Sequence, residues 1–181
     1  MAGLSTKAIK TRIKSMASTR QITKAMELVA SSKLRSAQSR AVACRPYFTA
    51  LYEAMNEIAD SSRSFESPYL RQAGPGKTIY IVIAGDRGLA GGYNNNIFKL
   101  VHAEAAGREM IVVPVGKKAL EYYRHKNIPV WSGAYQEAGA VTVGDCFTMA
   151  NMLCRDFRRG EFDEIRIAFT TFVSALSQTP T

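Results

Sequence analysis

From Leu34 to Ile58 the apolar side chains fall at Leu34, Ala37, Ala41, Cys44, Phe48, Leu51, Met55 and Ile58, stepping alternately by three and four. That seven-residue repeat is the signature of a helix packed along one seam against another helix. An earlier set, Ile9, Ile13 and Met16, then Ile22, Met26 and Val29, keeps the same steps, and the phase slips between Val29 and Leu34. No glycine follows Gly3 in this stretch, and Ala, Lys, Arg, Met, Leu, Gln and Glu, the strong helix formers, dominate it. The pattern predicts one helix from about Leu4 to about Ser62, with Ser5 or Thr6 as N-cap. At 1.5 Å per residue it is roughly 85–90 Å long. A compact domain of this size is only about 30–35 Å across, so most of the helix stands clear of its own domain. Pro46 lies inside the pattern, yet the repeat carries across it from Cys44 to Phe48, which predicts a bend in one helix, with two helices as the alternative.

The segment 62–77 (SRSFESPYLRQAGPGK) is rich in breakers and reads as a linker. Beyond it the pattern changes. Thr78–Ala84 is a β-branched apolar run, a buried strand, followed by a glycine-rich turn from Gly85 to Asn96. Helices are predicted over Ile97–Arg108, Lys117–Lys126 and Gly144–Arg159, the last with Phe147, Met152, Leu153 and Phe157 as its core face. Further strands are predicted over Met110–Val115, Ile128–Trp131 and Glu164–Val173. Alternating strands and helices imply a Rossmann-like α/β domain with a mostly parallel sheet. The expected organisation is a basic coiled-coil helix at 1–62, a linker at 63–77 and an α/β domain at 78–181.

Charge sharpens this picture. The chain has 181 residues and a net charge of +9. Residues 1–45 hold ten Lys and Arg against one acid, Glu27, while the remainder holds fourteen of each sign. A neutral body with one cationic arm implies an anionic partner for that arm. No apolar run approaches a membrane span, and the N-terminus has no signal-peptide core, so a cytoplasmic setting is expected. Cys44, Cys146 and Cys154 show no CxxC spacing and read as small buried hydrophobes rather than disulfide or zinc residues. His102 and His125 read as surface residues, and no metal cluster is expected.

The turn Gly85-Asp86-Arg87-Gly88-Leu89-Ala90-Gly91-Gly92 sits where a phosphate loop belongs, between a strand and a helix. It lacks the second glycine of GxGxxG, since Arg87 stands there, and no Gly-Lys-Ser/Thr closes it. The reading is a tight turn whose Asp86 and Arg87 offer charge to a partner. A nucleotide-binding Rossmann-like enzyme is the first alternative. The second is a nucleic-acid-binding protein using the basic helix; the absence of Phe, Trp and Tyr from the first 45 residues speaks against single-strand binding.

The stretch from Ile22 to Arg35 (ITKAMELVASSKLR) closely resembles the N-terminal helix of ATP synthase gamma subunits. Arg45-Pro46-Tyr47 resembles its continuation, Asp86 to Asn94 (DRGLAGGYN) its strand-to-helix turn, where the place of Ala90 is often cysteine, and Phe172 to Gln178 its last strand region. The resemblance implies the central stalk of a rotary proton-transporting ATP synthase. The coiled coil would fill the bore of a ring of alpha and beta subunits, with the α/β domain near epsilon and the membrane rotor ring. It implies a non-catalytic, torque-transmitting subunit without cofactor, small-molecule ligand or nucleic acid, held at the cytoplasmic face of a bacterial inner membrane. Lys24, Met26, Lys33 and Arg35 are expected to face the ring, and Asp86, Arg87, Gly88 and Ala90 to lie near a beta lobe. It further implies a second, antiparallel C-terminal helix as partner for the seam, which this sequence does not contain.

Overall fold

The structure is a computed structural model that describes residues 5–61, 67–70, 74, 76–174 and 176–181. The chain divides into two compact units, Met1–Phe65 and Glu66–Thr181.

Among its described residues the first unit holds one α-helix, α1 (Thr6–Ser61), of 56 residues, about 84 Å at 1.5 Å per residue. It runs unbroken through Pro46, so the two-helix alternative falls. Pro46 has no N–H for the carbonyl of Val42, and the intact turns on either side hold the register. Thr11, Thr19 and Thr23 donate their hydroxyls to the carbonyls of Lys7, Ser15 and Thr19, each at 3.0 Å, which lets hydroxyl side chains sit mid-helix. No described side chain of α1 is buried. Leu4, Ser62 and most of the expected linker lie outside the described residues; within that stretch Pro68–Leu70 form one 3-10 turn.

The second unit is a mixed α/β fold with a parallel three-stranded sheet. Its elements are β1 (Thr78–Ile83), α2 (Tyr93–Glu104), β2 (Met110–Val115), α3 (Lys117–His125), α4 (Val143–Arg158), β3 (Glu164–Ala168), β4 (Thr170–Phe172) and β5 (Gln178–Pro180). β1 lies between β2 and β3, and both pairings are parallel, Ile79 opposite Ile111 on one side and Ile165 on the other. Alternation along these strands feeds two cores. Tyr80, Val82, Val112 and Ala168 pack with Ile97, Phe98 and Val101 of α2 and Ala119 and Tyr123 of α3. On the opposite face Ile79, Val113 and Val115 pack with Met149, Leu153 and Phe157 of α4. Helices on both faces are what an apolar parallel sheet requires.

Several expectations need correction. Ile128–Trp131 is not a strand: only Val130 bridges to Val112, because Pro129 lacks an N–H to extend the ladder. The helix expected from Ile97 begins at Tyr93 and ends at Glu104; the Asn94–Asn96 run, which reads as turn, forms its first turn, with the N–H of Asn96 donating to Gly92 at 2.8 Å. In α4 the buried positions are Met149, Leu153 and Phe157, spaced by four, while Phe147 is 66% exposed and Met152 is also exposed. Thr142 and Asp145 form a reciprocal capping box that fixes this start. The strand expected over 164–173 is two strands, β3 and β4, whose partners lie in different sheets. Cys44 and Cys146 are exposed and Cys154 half-buried, all free thiols, rather than buried. His125 is exposed, but His102 is half-buried against Tyr122 and Tyr123, and its Nε2 finds no hydrogen-bond partner among the described residues.

Candidate interaction surfaces

The first surface is α1 itself. At 3.6 residues per turn, Lys24 and Arg35 fall within about 20° of each other around the helix. Met26 and Lys33 fall within about 20° of each other on the opposite side. The four expected ring contacts therefore do not share a face. Met26 belongs to the apolar set with Ile22 and Val29, whereas Lys24 and Arg35 point away from it. All four are exposed, and Lys24 Nζ pairs with Glu27 Oε2 at 3.0 Å. In water a surface pair of this kind contributes about 0–1 kcal/mol. Leu34, Phe48, Leu51 and Met55 are also exposed, a run of apolar surface that isolated helices in water do not carry without a partner, while Leu28, likewise exposed, lies on the side of Lys24 and Arg35.

The second surface is the glycine-rich turn between β1 and α2. Its ends are clamped: the N–H of Gly85 donates to Asn94 Oδ1 at 2.8 Å, and the carbonyl of Gly85 accepts from the N–H of Lys118 at 3.0 Å. Asp86 turns inward. Its Oδ1 accepts from the N–H of Ala138 at 2.8 Å and from that of Lys117 at 3.3 Å, and its Oδ2 accepts from Gly139 at 3.4 Å. The Asp86 carboxylate thus occupies the N-terminus of α3, where a phosphate would otherwise find free N–H groups. A nucleotide would meet a fixed negative charge there. Asp86 is a brace, not the outward charge expected of it.

Arg87, Gly88 and Ala90 are exposed, as a contact role requires. Leu89 between them was not singled out by the sequence. It has φ +60 and is 97% exposed, an apolar side chain held out on a left-handed backbone position. The glycines around it, including Gly91 at φ +57, were the available signal. Beside the turn lies an open cleft of about 550 Å³, bordered by Leu89, Asn94, Phe98, Lys118 and Tyr122. Lys118 there is paired with Glu121 at 2.7 Å. Among the described residues no three His, Cys, Asp or Glu side chains are grouped to hold a metal ion. Likewise, no described helix is long and apolar enough to cross a membrane.

A long helix with an uncovered apolar seam, accompanied by a small parallel-sheet domain whose glycine turn is braced from within, defines the class: an open-helix α/β protein. The sequence model of the family described as ATP synthase matches residues 5–181. With that match, the chain belongs to the ATP synthase gamma-chain family. It is 41% identical to the ATP synthase gamma chain of Ruminococcus albus over 179 residues, covering 96% of this chain and 62% of that one. It is 39% identical over 171 residues to the ATP synthase gamma chain, sodium ion specific, of Acetobacterium woodii, covering 94% and 57%. Against the gamma chain of Glaesserella parasuis the identity is 36% over 186 residues, covering 100% and 64%. The chain thus spans about three fifths of the length of these curated relatives.

Proposed function

We propose that the chain is the central-stalk subunit of a proton-transporting ATP synthase and transmits torque between the membrane rotor ring and the catalytic ring of alpha and beta subunits. The observation that carries this reading is α1: 56 residues of helix with no buried described side chain, an apolar seam and most of the chain's cationic excess. A stiff helix of this length conveys rotation. Its seam fits a second, antiparallel helix of the gamma chain, and its cationic side chains suit acidic elements of the surrounding ring. The α/β domain serves as the platform toward epsilon and the rotor ring, with Arg87, Gly88 and Ala90 displayed toward a beta lobe. In this reading the chain forms no covalent bond and is a peripheral protein at the cytoplasmic face of a bacterial inner membrane. One relative's name specifies sodium, so the coupling ion is a separate question from the torque role.

The experiment is copurification. The chain elutes with alpha and beta subunits and with a second gamma helix, and the complex reconstituted in vesicles with epsilon and the rotor ring couples ion flow to ATP synthesis. Elution apart from alpha and beta, with retention on DNA that falls steeply with salt, would replace this reading by nucleic-acid binding.

A further inference from the structure

The chain that leads into β1 is fastened to the second unit before the strand begins. Pro68–Leu70 form their 3-10 turn beside α4. The Tyr69 ring stacks on that of Phe157, with centroids 6.0 Å apart and planes 20° from parallel. Phe157 meets Phe162 in turn at 5.9 Å, and both are buried in the same core as Ile79 and Val113. The Tyr69 N–H donates to Ser67 Oγ at 3.3 Å, which tightens the turn under the ring.

A second contact lies nearer to β1. A Cβ on Gly76 would fall 1.8 Å from Asp163 Oδ2, and one on Gly74 would fall 3.7 Å from Asp163 Cγ. The chain thus passes directly over the Asp163 side chain, and any larger residue at 76 would push the carboxylate aside. One residue further on, the carbonyl of Lys77 accepts from the N–H of Asp163 at 2.8 Å. Both contacts end on one corner of the fold, the turn from α4 into β3. That corner is firm. Gly160 reverses the chain at φ +77, its N–H donates to the Phe157 carbonyl at 3.0 Å, and the N–H of Glu161 donates to the Asp156 carbonyl at 3.2 Å.

Without these contacts the incoming chain would first meet the domain at Thr78, the end of the central strand. Force arriving there would act on one main-chain pair at a time, and the ends of elements are where a fold opens most readily. Held at Tyr69 and Gly76, the chain instead spreads that force over a stacked ring, a close-packed glycine and the core behind Phe157 and Phe162. We propose that Tyr69 and Gly76 form a strap that fastens the chain between the two units to the corner between α4 and β3, so that force carried along it enters the α/β domain there rather than at the end of β1. This deepens the stalk reading and rests on it. Tyr69 and Gly76 are positioning residues for the transmission of torque, because neither needs to touch another subunit.

Two readouts on the same variants test it. In amide hydrogen exchange of the chain alone, Tyr69→Ala combined with Gly76→Ala speeds the Asp163 amide by at least about tenfold, while the Ala84 and Val113 amides stay protected and show the fold intact. Tyr69→Phe keeps the ring and leaves the Asp163 amide slow. In the complex reconstituted in vesicles, the double variant copurifies with alpha and beta as the unaltered chain does, but its ion-driven ATP synthesis falls by at least about threefold, and Tyr69→Phe does not share the loss. An Asp163 amide that stays slow in the double variant overturns the strap. Full synthesis in a double variant whose Asp163 amide has become fast overturns its role in carrying force. Failure of the stalk reading looks different: the unaltered chain itself then elutes apart from alpha and beta, and the force role falls with it.

Discussion

Asp86 Oδ1 accepts the backbone N–H of Ala138 at 2.8 Å across a sequence separation of fifty-two residues. This bond ties the glycine-rich turn to the loop that leads into α4, and the bonds from Lys117 and Gly139 add α3 to the same anchor. Removing the carboxylate leaves those N–H groups unpaired. Asp86→Ala should lower the stability of the domain by about 1–3 kcal/mol in urea unfolding. Asp86→Asn retains one oxygen acceptor and should lose less. Equal losses for the two variants would show that the acceptor is not what matters.

Gly116 and Gly88 make opposite predictions although both lie near this turn. Gly116 has φ +98, and a Cβ there would lie 2.3 Å from the carbonyl oxygen of Ala84. Gly116→Ala should therefore cost about 2–4 kcal/mol, combining strain with displacement of β1 from α3. At Gly88 an added methyl group would have nothing within 4 Å, and the backbone φ is not in the left-handed region, so Gly88→Ala should change stability by less than about 0.5 kcal/mol. Thermal unfolding of the two variants compares them directly, and a Gly88→Ala loss as large as that of Gly116→Ala would refute the assignment.

The strong periodicities were legible in the sequence. The seven-residue step from Leu34 to Ile58 marked α1, and β2 begins and ends where the run Met110–Val115 does. What escaped depends on contacts between distant residues. Asp86 reads as an outward charge until Ala138 and Lys117 are folded beside it. The sunken face of α4 is set by how the helix rolls onto Ile79 and Val113, so Met149 is buried where Phe147 is not. Glu164–Val173 is one extended run, but its partner changes from β1 to β5 near Phe169, which local propensity does not encode. The opposed orientation of Lys24 and Met26 was available from helical geometry alone.

Acid should weaken the β3 side of the domain through Glu164. Partial burial raises the pKa of this carboxyl, but hydrogen bonding to Arg166 and the nearby charges of Arg166 and Arg108 outweigh it, and the net shift is downward. Arg166 Nε donates to Glu164 Oε1 at 2.9 Å, and its Nη1 donates to Glu104 Oε2 at 2.6 Å. A depressed folded-state pKa means that the contribution is complete above the ordinary glutamate value of about 4.3 and is lost as the pH falls through the lowered value. Urea unfolding between pH 7 and pH 3 should therefore show a loss below about pH 4.3 that is smaller in Glu164→Gln. An unchanged acid slope in that variant would remove Glu164 from the account.

The two faces of α1 should separate assembly from coupling. Lys24 and Arg35 lie about 16 Å apart along one side of the helix, opposite Met26 and the apolar set. If that side meets acidic elements of the ring, Lys24→Glu combined with Arg35→Glu places like charges together while leaving the seam intact. The expected result is a complex that still copurifies but whose ion-driven ATP synthesis falls by about tenfold, equivalent to about 1.4 kcal/mol. Met26→Lys acts on the other side: it puts a charge into the seam, so assembly itself should weaken and copurified chain should decline. The contrast, rather than either loss alone, tests the arrangement. Unchanged synthesis in the double charge reversal, or equal loss of assembly in both variants, would mean that the two sides of α1 do not divide the work in this way.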